Sequence, residues 1–181
     1  MLDGEQQKKE SETIKERTII LKLSDADCES IFKLCGKHSI TVASLLEGFI
    51  GDLIGGTHTN GSDERGYAKR YFERCWFGMF PEPTLLSWLL NRGYDVYGDF
   101  LEVIENVEGA YVDLEDYKKY PNYFNEEDIT FLQTDIEDWE NQIAEIKADF
   151  LEKNKNADWE KEVEKVEQWW KEKAKFKNED I

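Results

Sequence analysis

The chain has 181 residues, 40% hydrophobic and 13% aromatic, which is enough apolar material to bury a core. Its formal charge of −17 excludes a protein that coats nucleic acid by bulk charge, because such a surface repels a phosphate backbone and attracts basic protein grooves. No apolar run is long enough to span a bilayer, and "MLDGEQQKKESETIKER" lacks the apolar stretch of a signal peptide, so a cytoplasmic protein is expected.

Charge is unevenly spread along the chain. Residues 99–181 hold 11 Lys+Arg against 25 Asp+Glu, a net −14, whereas residues 57–80 hold 4 against 3. That short basic stretch, "GGTHTNGSDERGYAKRYFERCWFG" with its flanking glycines, is the anomaly of the sequence.

In chain order, residues 1–16 are polar and aperiodic and read as a flexible tail. At "RTIILKL", Ile19, Leu21 and Leu23 alternate with Thr18, Ile20 and Lys22, which predicts a short strand. Ser24, with Asp27 three residues on, predicts a helix N-cap. Cys28, Ile31, Phe32 and Cys35 follow at i, i+3, i+4, i+7, ending near Gly36. Thr41 opens a second helix carrying Val42, Leu45, Leu46, Phe49, Ile50 and Leu53, closed by Gly55-Gly56.

In this order and at this length, residues 18–54 resemble a ribbon-helix-helix DNA-binding subunit, in which two chains pair their strands and insert the ribbon into the major groove. The resemblance implies a homodimer through the 18–23 strand and, as one functional alternative, a transcriptional regulator. By alternation Thr18, Ile20 and Lys22 would face DNA, and of these only Lys22 suits a phosphate or a base edge.

Ser62-Asp63-Glu64 predicts the start of a further helix. Its spacing places Arg65 with Lys69 and Arg70 with Arg74, and leaves Tyr67, Tyr71 and Cys75 as another stripe. A glycine-rich loop running into a helix N-terminus beside cations can hold a phosphate. The sharpest form of this reading is a ribonuclease site, with His58 as general acid or base, Glu64 as its partner and Lys69 or Arg65 stabilising charge. A plainer form makes Arg65, Arg70, Arg74, Tyr67 and Tyr71 a binding surface, and the plainest pairs the arginines with Asp63, Glu64, Glu73 and the acidic helices.

Thr84–Asn91 predicts a short buried helix, expected to join the N-terminal half over 17–98. The remaining residues, 99–181, predict an acidic antiparallel helical bundle. Its first helix starts at Asp99 and runs to the break at Pro121, the second starts at Asn125 and the third at Asp158, each with one apolar seam. The fold class expected is therefore mainly α, with a short strand and a ribbon-helix-helix-like start. Three cysteines without a C-x-x-C pair and two histidines, His38 and His58, point to reduced thiols, no metal site and no cofactor.

The stretch from "LSDADCESIFKLCGKHSITVASLLEGFIGDLIGG" through "ERCWFG", followed by an acidic, Trp-containing tail, is similar to small proteins of conjugative elements and prophages in Gram-positive bacteria. Some proteins of that type are anti-CRISPR inhibitors of the type II RNA-guided effector nuclease. The resemblance implies a basic nucleic-acid-handling partner in the bacterial host cell, a type II CRISPR effector with its guide RNA. Inhibition would proceed by occupying the basic channel, by blocking guide loading or by shortening the guide. The resemblance fixes no active residues; from the charge of the acidic helices alone, Glu137, Glu140, Glu160, Glu164 and Glu167 are the carboxylates expected to stand in for a nucleic-acid backbone.

Overall fold

The computed structural model describes residues 4–120 and 125–178, and every regular element among them is helical. In chain order these are α1 (Gly4–Glu12), α2 (Asp25–Lys37), α3 (Val42–Ile54), α4 (Ser62–Arg74), α5 (Trp76–Met79), α6 (Leu85–Arg92), a π-helical turn (Tyr97–Leu101), α7 (Glu102–Lys119), α8 (Glu126–Lys153) and α9 (Trp159–Lys177). None of them is long and apolar enough to cross a membrane.

The expected N-terminal strand does not form, and the ribbon-helix-helix-like fold class is corrected to an all-helical one. Residues 18–23 have no regular hydrogen-bonded structure, and no sheet occurs among the described residues. Alternation supplies the two faces of a strand, but a strand persists only when a neighbour takes its N–H and C=O groups. The other described apolar stretches satisfy their backbones inside helices, which leaves this segment nothing to pair with. Within the stretch expected as a tail, Gly4–Glu12 is helical.

Helix starts follow the side chains that can cap them. Ser24 and Asp27 form a reciprocal capping box for α2, and Thr41 accepts the Ser44 N–H at 2.9 Å to open α3. Asn125 and Asp128 repeat the box for α8, and Asp158 opens α9. Pro121, expected to interrupt the chain before α8, lies outside the described residues.

The chain divides into two compact units, Met1–Glu82 and Pro83–Ile181. The second owns the larger core: Leu85, Trp88 and Leu89 of α6 meet Phe100 and Leu101, Ile146 and Phe150 of α8, and Val166 of α9. Helix α6, expected with the N-terminal half, is thus part of this unit. Phe100, Phe150, Leu85, Leu89 and Val166 are almost fully buried, each worth roughly 1.5–3 kcal/mol.

Helices α7 and α8 run antiparallel. Tyr117 lies beside Ile129 and Leu132, Tyr111 donates to Glu140, and Gln142 donates to the Asp99 carbonyl. A buried carboxylate joins the ends of the unit: Glu162 of α9 accepts the Leu85 N–H at 2.8 Å, satisfying a free donor at the start of α6, and also pairs with Lys165.

Candidate functional site

The basic, aromatic segment that stands out in the sequence occupies the loop 55–61, α4 and α5. Its loop is not an open phosphate cradle. Asp52, buried near the end of α3, accepts the Thr59 hydroxyl at 3.0 Å, the Asn60 N–H at 2.6 Å and the Asn60 side-chain amide at 2.9 Å. Arg65 Nη1 donates to Thr59 Oγ1 at 3.2 Å from the first turn of α4. The Asn60 hydrogen bonds, side chain first and backbone second, hold the Asp52 carboxyl below its usual range; the Thr59 hydroxyl and the Arg65 charge act the same way.

The loop comes so close to α3 that position 51 must be glycine. A Cβ there would stand 2.6 Å from the His58 carbonyl carbon and 2.9 Å from the Thr59 nitrogen. The Thr59 hydroxyl and the two Asn60 donors are thus engaged by Asp52. At the start of α4, a Cβ on Gly61 would come within 3.0 Å of Glu64 Oε2, so the helix N-terminus already has a carboxylate beside it.

His58 is exposed on this loop, and Glu64 and Lys69 are exposed on α4. Lys69 reaches Glu73 at 3.9 Å. Among the described residues no hydrogen bond or ion pair joins His58, Glu64 and Lys69 to one another. No group of three His, Cys, Asp or Glu side chains there could hold a metal ion.

The other face of α4 is different. Tyr67, Arg70, Tyr71, Arg74 and Cys75, at i, i+3, i+4, i+7 and i+8, line one open groove of about 580 Å³. Arg70 lies over the Tyr67 ring at 4.7 Å and donates to the Gly66 carbonyl at 3.2 Å. Tyr71 forms a T-shaped pair with Phe49 of α3, ring centroids 5.8 Å apart. A hydrogen bond with Cys75 pushes the Tyr71 hydroxyl above its usual range. No ion pair of Arg70 or Arg74 occurs among the described residues.

Helix α5 follows directly after Cys75. Gly78 permits the tight return, because a Cβ there would meet the Phe72 carbonyl oxygen at 2.1 Å. Phe72 and Phe77 lie 5.0 Å apart and Trp76 and Phe80 4.7 Å apart, with Trp76 76% exposed. Sequence spacing on α4 had separated the arginines from the tyrosines. The helix puts them on one wide face.

The five expected carboxylates are distributed over two helices. Glu137 and Glu140 are exposed on α8, where Glu140 accepts the Tyr111 hydroxyl at 2.7 Å and raises its pKa. Glu160, Glu164 and Glu167 share a stripe of α9, where Glu167 stands 3.8 Å from Lys171. Helix α9 carries 6 lysines against 5 glutamates, whereas α8 carries 2 lysines against 10 acidic residues and α7 2 against 6. The acidity of the second unit resides in the α7–α8 pair. Per-helix charge counts would have found this in the sequence.

Comparison with known proteins gives no matching family, no similar curated protein and no similar solved structure.

Proposed function

We propose that this chain is an interaction protein that binds single-stranded RNA within an RNA–protein complex, using the Tyr67, Arg70, Tyr71 and Arg74 face of α4. One observation carries the reading: two guanidiniums, with no ion-pair partner among the described residues, and two exposed tyrosines share one groove. Arg70 and Arg74 are about 6 Å apart along the helix axis, a span that reaches successive phosphates of an extended strand. Tyr67, Tyr71 and Trp76 supply ring faces for bases, a sequence-tolerant mode of holding a single strand. The chain's net charge of −17 makes weak, salt-sensitive RNA binding the expectation unless a partner protein contributes.

The α7–α8 pair, at 4 lysines against 16 acidic residues, gives that protein contact its chemistry. A basic channel that holds nucleic acid would attract it. The form of this function implied by the sequence resemblance is an inhibitor of an RNA-guided nuclease loaded with its guide.

Fluorescence anisotropy with a labelled single-stranded RNA tests the reading directly. Tyr67→Ala and Tyr71→Ala should each weaken binding by roughly tenfold, the loss expected for one base stack. Arg70→Ala/Arg74→Ala should weaken it further, and Lys69→Ala, off this face, should not. Equal affinity in all variants overturns the α4 assignment. A loaded RNA-guided nuclease that cuts at full rate in excess chain overturns the inhibitor form alone.

A further inference from the structure

The loop between α3 and α4 holds the one Asn-Gly pair of the chain, Asn60-Gly61. At such a pair the peptide nitrogen after the asparagine attacks the side-chain amide most readily, because glycine puts no Cβ in the path and lets the backbone turn. Asn60 is exposed to water, and Gly61 has a φ of +149°, where a side chain would be strained. What restrains the pair is Asp52. Its Oδ1 accepts the Asn60 N–H at 2.6 Å and its Oδ2 accepts from Asn60 Nδ2 at 2.9 Å, so one carboxylate holds both the main chain and the side chain of the residue. The amide also lies against α3 one turn earlier, where a Cβ on Gly48 would stand 3.2 Å from Asn60 Nδ2. The attacking nitrogen is held more loosely: the Gly61 N–H reaches Thr59 Oγ1 at 3.4 Å, long for a hydrogen bond.

We infer that Asn60 is a self-modification site guarded by Asp52: when the clamp opens, the Gly61 nitrogen attacks Asn60 Cγ and the side-chain amide is lost. The Gly61 N–Cγ bond forms as the Cγ–Nδ2 bond breaks, and the Gly61 proton leaves with Nδ2 as ammonia. Water then opens the cyclic imide, giving aspartate at position 60 from one carbonyl and isoaspartate from the other. Neither product can restore the clamp. Aspartate puts a second carboxylate oxygen where Nδ2 stood, 2.9 Å from Asp52 Oδ2, so that acceptor faces acceptor and like charges share one site. Isoaspartate also adds a methylene to the main chain, and the loop has no slack for it: a Cβ on Gly51 would already meet the His58 carbonyl carbon at 2.6 Å. Conversion is therefore one-way and loosens the junction between α3 and α4. None of this rests on RNA binding.

The full chain, aged in warm, mildly alkaline buffer and then digested for mass spectrometry, should gain the mass of an amide-to-acid change at Asn60. Asp52→Ala removes the clamp and should convert roughly tenfold faster, the opening cost of hydrogen bonds to a charged group. Asp52→Asn keeps one acceptor and should fall between; it carries the comparison if Asp52→Ala does not fold by circular dichroism. The converted fraction of aged wild type, separated by anion exchange, should melt below the unconverted fraction, as should Asn60→Asp. No mass gain at Asn60 in any of the three chains overturns the inference. So do equal rates in the wild type and the folded Asp52 variants, or a converted fraction that melts with the unconverted one.

Discussion

Asp52 decides what the loop between α3 and α4 can be. It stands in an otherwise apolar run, "FIGDLI", and that misfit was the readable signal. Its partners were not readable, because Thr59 and Asn60 meet it only after the chain reverses at Gly55-Gly56. Asp52→Asn should lower the melting temperature at neutral pH. Its folded pKa is depressed, so the stabilisation is present above the ordinary carboxyl value of 3.8 and is lost as pH falls through the folded pKa. Thermal unfolding across acid pH should therefore show the gap between wild type and Asp52→Asn closing below that value; a gap independent of pH would contradict the assignment. At Gly51 the constraint is steric. Gly51→Ala should cost roughly 1–3 kcal/mol, the usual range for overpacking a close contact, read from denaturant melts as a lower midpoint at unchanged slope.

Helix starts were legible because caps are local: Ser24 with Asp27, Thr41, Thr84, Asn125 with Asp128, and Asp158 all lie within one turn of the groups they satisfy. Where satisfaction is distant, the sequence was silent. The 18–23 alternation looks like a strand, yet its state depends on a neighbour the local pattern does not contain. The start expected at Asp99 falls earlier in the structure: Asp99 Oδ2 accepts the Asp95 N–H at 2.8 Å and Asp95 Oδ1 accepts the Tyr97 N–H at 3.1 Å, so the chain enters α7 through the π-helical turn. The Glu162–Leu85 bond, spanning 77 residues, was equally invisible. Glu162→Ala leaves that buried N–H without its acceptor and should cost roughly 1–3 kcal/mol. Glu162→Gln keeps an acceptor and should cost less. Equal melting temperatures for the two variants would contradict a capping role.

Over the whole molecule, charge and apolar surface are segregated. The unit from Pro83 onward holds 12 Lys+Arg against 26 Asp+Glu and has the larger core; the unit before it holds 11 against 14 and leaves Ile20, Phe32 and Ile54 exposed. The charge asymmetry was legible by counting, and the exposure was not, since a helical stripe looks the same whether or not something covers it. Binding through α4 and repulsion from the acidic helices then act in opposite directions on RNA, and salt weakens both. The arginine contribution is separable because each phosphate contact contributes a slope of about −0.7 to log affinity against log salt for a single strand. The most direct measurement is that slope, taken on single-stranded RNA for the wild type, Arg70→Ala/Arg74→Ala and Tyr67→Ala/Tyr71→Ala. The arginine pair should flatten it by about 1.4, two phosphate contacts' worth, while the tyrosine pair should lower affinity and leave the slope in place. A slope unchanged by removing both arginines, or a wild type that does not bind RNA at low salt, would contradict the α4 surface as the site of function.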